Sequence, residues 1–290
     1  IMPRSIPAKK SRPRSARQHP VLKVDNVTAA FGGKDEFIAL DDVSLELAES
    51  RTLGIIGESG SGKTTLGRVI VGLKAPLRGQ VTLDGQALAP QIAQRTRDQL
   101  RSIQFAFQMA ETALNPRHTV AKILGRPLQF YFNLSGAETT RRVKELLELV
   151  EMPASYARRL PRELSGGQRQ RVNLARALAA EPRVVICDEI TSALDTIVAQ
   201  AILQLLDDLQ KRLKVAYVFI SHDISTVAQI SHDIAVMRNG VIVANGSTAD
   251  ILKPPHHEYT ELLLSSVPEM RTDWLDEVSR NRGDALKVPQ

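Results

Sequence analysis

One stretch, Gly57-Glu58-Ser59-Gly60-Ser61-Gly62-Lys63-Thr64-Thr65, limits what this chain can fold into more than any other. An apolar run, Leu53-Gly54-Ile55-Ile56, precedes it, and a helical pattern, Leu66-Gly67-Arg68-Val69-Ile70-Val71, follows. Strand, glycine-rich turn and helix in that order match the phosphate-loop pattern G-x-x-x-x-G-K-[ST]. The glycines let successive backbone N–H groups turn inward without Cβ clashes, which makes a concave anion site. The helix that starts there aims its positive dipole end at the same place. Lys63 adds a full charge for the outer phosphates, and the Thr64 hydroxyl suits Mg²⁺. The loop by itself predicts a bound nucleoside triphosphate; what is done with the energy must be read elsewhere in the chain.

The chain has 290 residues, room for one large domain or two modest ones, and its 43% hydrophobic content supports a real core. No apolar run approaches the roughly 20 residues of a membrane helix. The start, Ile1-Met2-Pro3-Arg4, lacks the apolar stretch of a secretory signal. A soluble, cytoplasmic chain is therefore expected. Cys187 is the single cysteine, which excludes an internal disulfide and a cysteine-ligated cluster. The net charge of +6 is carried by residues 1–19, where Arg4, Lys9, Lys10, Arg12, Arg14 and Arg17 face no acidic residue. Residues 20–290 are balanced, so a nucleic-acid partner is not expected. The tail is rich in Pro, Ser and basic residues and reads as a disordered linker. Its start on Ile rather than Met predicts a piece of a longer polypeptide.

Residues 21–27 alternate apolar and polar as a half-buried strand does, and a second strand pattern runs from Ile38 to Leu47. Gly79 to Gly85 predicts a short strand closing on an Asp-Gly turn. From about 90 to 163 helical periodicity dominates. Its best segment is 141–150, with Val143, Leu146, Leu147 and Val150 on one face. This region is expected to be a helical insertion. Strands at Val184–Cys187 and Ala216–Ile220, separated by a helix at 197–213, predict a mainly parallel sheet with ligands at its carboxyl ends.

Three features sit at those ends. Asp188 closes a fully apolar strand, where a carboxylate can hold Mg²⁺. Glu189 beside it is placed to orient or deprotonate water. His222 follows a second strand, a suitable donor to a γ-phosphate. Leu164-Ser165-Gly166-Gly167-Gln168 opens a helix with a hydroxyl and free N–H groups, a second anion site. Two such helix ends in one chain predict that two chains share each nucleotide.

With these motifs in order, residues 20–266 closely resemble the ATP-binding-cassette family. The resemblance makes Gly57–Thr64 the Walker A motif, Leu164–Gln168 the signature, Val184–Asp188 the Walker B strand and Glu189 the catalytic glutamate. It assigns the D-loop to Ser192–Asp195, the switch histidine to His222, the Q-loop to Gln108 and an adenine-stacking aromatic to Phe31. It therefore implies catalytic roles for Lys63, Gln108, Glu189 and His222. Nucleotide contacts follow from Phe31, Gly57, Ser59, Gly60, Ser61, Gly62, Lys63, Thr64, Thr65, Ser165, Gly166, Gly167, Gln168 and Asp195, and Mg²⁺ contacts from Thr64, Gln108 and Asp188. The implied fold is α/β: a P-loop NTPase (RecA-like) core, an antiparallel β subdomain and an inserted helical subdomain. Its domain plan is a basic tail at 1–19, the nucleotide-binding domain at 20–247, and a C-terminal extension at 248–290.

Leu114-Asn115-Pro116-Arg117 and the segment from Pro254 to Leu263 resemble the dipeptide, oligopeptide and nickel importer ATPases. That group implies ATP and Mg²⁺ and a homologous second ATPase subunit or half, expected as a heterodimer. It implies two transmembrane permeases, an extracytoplasmic solute-binding protein acting indirectly, and peripheral placement on the cytoplasmic face of the plasma (inner) membrane. Some of its members carry an iron–sulfur cluster, which Cys187 alone cannot hold. Ile190, where many members have Pro, is a departure. A rival class is the translation-factor type of cassette ATPase, for which the charged tail leaves an opening. The repair and chromosome type inserts a long coiled coil, and no sustained heptads occur here.

Overall fold

The computed structural model describes residues 20–32 and 37–265. The basic tail, Gly33 and the end of the C-terminal extension with Trp274 lie outside the described residues.

Among the described residues, ten strands form two sheets. They are β1 (Pro20–Phe31), β2 (Phe37–Ala48), β3 (Thr52–Ile56), β4 (Arg78–Leu83), β5 (Gln86–Ala87), β6 (Ile103–Ala106), β7 (Val184–Asp188), β8 (Ala216–Ile220), β9 (Asp233–Arg238) and β10 (Val241–Ser247). The smaller sheet, β2-β1-β4-β5, is antiparallel. The larger, β10-β9-β3-β8-β7-β6, is parallel except for the β9–β10 hairpin. That hairpin turns on Asn239-Gly240, both at positive φ, the sequence a tight two-residue turn favours.

The larger sheet is apolar on both faces, and alternation along each strand assigns its side chains to two cores. Ile55, Ile186, Val218, Ile220 and Met237 join β1, β2, β4 and the helix Lys63–Ile70. Ile56, Val185, Cys187, Tyr217, Phe219 and Val236 join the helices Gly166–Leu178, Thr196–Leu213 and Ile224–Ile230 on the other side. Gly67 lets the helix after the phosphate loop lie close to the sheet: a Cβ there would sit 3.1–3.3 Å from Phe105, Ile186 and Ile220.

The stretch from about 90 to 163, expected to be helical, holds one strand. Ile103-Gln104-Phe105-Ala106 is β6, hydrogen-bonded to β7 at the edge of the larger sheet. Four residues are too few to show a period, and the run lies directly behind the helix Arg97–Ser102, so its signal merges with that helix. The helices Val120–Phe132 and Gly136–Leu149 follow. Ser135 and Glu138 form a reciprocal cap at the start of the second, and Val143, Leu146 and Leu147 are its buried face.

Candidate functional site

Register brings the motifs to one sheet edge. β6 meets β7 at Ala106 and Cys187, β7 meets β8 at Asp188 and Ile220, and β8 meets β3 at Ile220 and Ile55. The carboxyl ends of these four strands are therefore level. Gln108, Glu189, His222 and the loop at 57–62 emerge from them side by side.

The loop needs glycine where other parts of the fold approach it. Gly57 has φ 155°, and a Cβ there would stand 2.1 Å from the Met237 carbonyl oxygen. Gly62 has φ 105° and caps the helix Lys63–Ile70 in the left-handed region. Gly57→Ala is accordingly expected to destabilise the fold by about 2–3 kcal/mol through backbone overlap; thermal denaturation with wild-type stability would refute it. Ser61 is buried, and its carbonyl accepts from the Gly240 N–H at 3.0 Å. Ser59 is exposed at the loop tip, and Thr65 is half-buried in the first turn of the helix.

Lys63 is 4% exposed. Its ammonium donates to the carbonyls of Gly57 (2.7 Å) and Glu58 (2.8 Å). Burial pushes its pKa down, while the negative charges of Glu189, Asp188 and Glu58 oppose that shift. The Thr64 hydroxyl donates to Asp188 Oδ1 at 3.2 Å. Asp188 is buried, and burial raises its pKa; the Thr64 bond opposes this and the neighbouring Glu189 adds to it. Two hard oxygen donors thus stand together beside a helix N-terminus.

Glu189 leaves β7 with φ 47° while its N–H still donates to the Ile220 carbonyl at 2.9 Å. Its carboxylate accepts from the Gln108 amide at 2.8 Å, and His222 Nδ1 lies 3.5 Å from its other oxygen. Gln108 is also 3.4 Å from the Ser192 hydroxyl, which itself donates to the Glu189 carbonyl. Gln108, expected also as a metal ligand, is thus bonded to Glu189, whereas Thr64 and Asp188 meet each other.

The second anion site is a helix cap. The Ser165 hydroxyl accepts from the Gln168 N–H, and the Gln168 side chain accepts from the Ser165 N–H at 3.1 Å. Gly167 packs against the helix Thr196–Leu213: a Cβ would come within 2.5 Å of Val198. Gly166 faces Leu194, 3.6 Å from where a Cβ would lie. Asp195, expected at a nucleotide, caps that same helix by accepting from the Val198 N–H at 3.0 Å. Phe31 ends β1, partly exposed, with the Lys74 ammonium 4.5 Å from its ring centre.

Sequence reasoning missed a support of the site. Asn173, fully buried, donates to the Phe107 carbonyl at 2.9 Å and so holds the residue before Gln108. A polar residue inside the apolar stripe of its helix was the available signal. His232 is structural: its Nδ1 accepts from the Thr52 N–H at 3.1 Å.

Residues 40–192 match the family model described as ABC transporter, and residues 245–290 match the C-terminal region of oligopeptide/dipeptide transporters. A Brucella abortus (strain 2308) protein, provisionally named a peptide import ATP-binding protein, is 44% identical over 259 residues, covering 87% of this chain and 78% of that protein. The oligopeptide transport ATP-binding protein OppF of Lactococcus lactis subsp. lactis (strain IL1403) is 39% identical, covering 88% of this chain and 79% of its own length. Among solved structures, the ATP-binding cassette MJ0796, a dimer bound to ADP and phosphate, superposes with a TM-score of 0.69. It is 32% identical and covers 78% of this chain and 98% of its own. The chain belongs to the ABC transporter family and is an ATP-binding, ATP-hydrolysing component of its transport machinery.

Proposed function

We propose that this chain powers the import of di- or oligopeptides by ATP-driven closure of two cassettes. The observation that carries the ATPase half is the level register of β3, β6, β7 and β8, which sets Lys63, Gln108, Asp188, Glu189 and His222 at one edge. The match of residues 245–290 to the oligopeptide/dipeptide C-terminal region supports the cargo class.

In this proposal the loop N–H groups and Lys63 bind the β- and γ-phosphates. The phosphates supply the counter-charge that a buried ammonium needs. Thr64 and Asp188 fit a magnesium ion: hard oxygens, one of them a buried carboxylate whose charge is otherwise disfavoured. Gln108 is the third candidate ligand, reached by turning away from Glu189. The ion would neutralise charge on the phosphates. Glu189 accepts a proton from the attacking water, and His222 donates to the γ-phosphate. Phe31 offers its exposed ring to adenine.

Ser165, Gly166 and Gly167 serve the partner's nucleotide. A hydroxyl that accepts in its own cap keeps its proton to donate outward. Asp195 acts there by holding the start of the helix on which Gly167 rests. Binding thus joins the two cassettes, expected as a heterodimer, and hydrolysis releases them. The two permeases dock on the groove of about 440 Å³ that runs past Leu73, Ile92, Phe105, Phe107, Ile123 and Phe130. Its exposed Leu73, Ile92 and Phe130 form the apolar patch such a contact requires, next to Gln108. No helix among the described residues is long and apolar enough to cross a membrane. In this proposal the permeases hold the chain at the cytoplasmic face of the inner membrane.

The test is purification with associated partners and reconstitution in vesicles with a binding protein. Two polytopic membrane proteins should co-purify, and peptide-loaded binding protein should stimulate hydrolysis. Stimulation by nickel and not by peptide would overturn the cargo class; ribosome association without permeases would overturn transport.

A further inference from the structure

We propose that Tyr259 is a positioning residue for the phosphate loop, through which the C-terminal segment sets how tightly the chain holds ATP. The inference rests on the proposal that the loop at 57–64 binds MgATP.

Tyr259 lies in the helix Glu258–Ser265, about two hundred residues downstream of the loop, and is 2% exposed. Its hydroxyl accepts from the Glu58 backbone N–H at 3.1 Å. The same peptide unit presents the Gly57 carbonyl, which accepts from Lys63 Nζ at 2.7 Å. One peptide group is therefore held from both sides: Tyr259 takes its N–H and Lys63 takes its C=O. Such a chain of bonds is mutually polarising. It also fixes a rotation that glycine otherwise leaves free, because ψ of Gly57 carries no Cβ restriction.

The tyrosine is itself anchored. Arg238, the last residue of β9, lies with its guanidinium 4.7 Å from the ring centre. His257 Nδ1 accepts from the Tyr259 N–H at 3.2 Å and ties down the start of the helix. Arg238 also precedes the turn whose Gly240 N–H holds the Ser61 carbonyl. The outside of the loop is thus braced by one assembly of the β9–β10 hairpin and the C-terminal helix. The Glu58 N–H, turned to Tyr259, is withheld from the phosphates, so the phenol acts on the loop's shape and not on the nucleotide. A loop held in one shape binds without the cost of selecting it from several.

Tyr259→Phe keeps the ring and removes the bond. In the full chain it should raise the Kd for MgATP, and the KM in the assembled transporter, about 3- to 10-fold, the worth of one net hydrogen bond. The kcat at saturating MgATP should stay within about twofold, since nothing that touches the reacting atoms has changed. Arg238→Met, which removes the charge over the ring, should shift Kd in the same direction by a smaller factor. A lower melting temperature with Kd unchanged would mean a packing role only and would overturn the proposal. So would wild-type Kd in both variants, or a fall in kcat at unchanged KM. Failure of the unaltered chain to bind MgATP would instead overturn the function proposal beneath it.

Discussion

Replacing Glu189 with glutamine should lower the rate of ATP hydrolysis by about 10²- to 10⁴-fold, the usual worth of a general base. Nucleotide affinity should remain within about threefold, because the loss falls on the transition state. The physical grounds are local. Glu189 follows a strand buried along its whole length, its side chain is 18% exposed, and Gln108 and His222 flank its two oxygens. Glutamine retains the shape and an oxygen that accepts from Gln108, but it cannot take a proton. Steady-state hydrolysis in the assembled complex, paired with a nucleotide titration, separates the two effects. Normal turnover would remove Glu189 from the role of base.

The second large effect is expected at Lys63. Lys63→Ala should weaken MgATP binding by about 10- to 150-fold, the worth of a charge-assisted hydrogen bond in a protected site. Here the deficit appears in affinity and not only in turnover, because the ammonium meets the phosphates in the ground state as well. The substitution also removes the clamp on the Gly57 and Glu58 carbonyls. Thermal denaturation without nucleotide reports that part separately. Unchanged affinity in a titration would sink the assignment of the loop.

The contrast between the two substitutions follows from where each charge sits. Glu189 stands at the mouth of the sheet edge, within reach of water. Lys63 is buried at the root of the loop, where burial disfavours its charge and the carboxylates of Glu189, Asp188 and Glu58 sustain it. On the proposed function, the group in the first setting handles protons and the group in the second binds an anion.

Much of this site was legible in the residues alone. The phosphate loop, the strand ending on Asp188 and the cap at Ser165 each have a short-range pattern. A glycine turn, an apolar run of four and a hydroxyl three residues ahead of a glutamine are set by local backbone and solvation chemistry. β6 was not legible, because four residues carry no period and its helix neighbour obscured them. Asp195 is expected at the nucleotide by motif; what the motif does not display is that its carboxylate caps the helix Thr196–Leu213. Asn173 was hidden because its partner, the Phe107 carbonyl, is 66 residues away.

Which residues are candidates for the chemistry was thus written in the chain, since glycines, an ammonium and strand-end carboxylates act through properties they carry with them. How those residues stand to one another was decided only by the tertiary fold. The level register of β3, β8, β7 and β6 brings Gln108 to Glu189, and the return of the C-terminal helix brings the Tyr259 hydroxyl to the Glu58 amide. Side-chain patterning selects strands and faces, but a hydrogen bond across two hundred residues exists only once packing has fixed both ends.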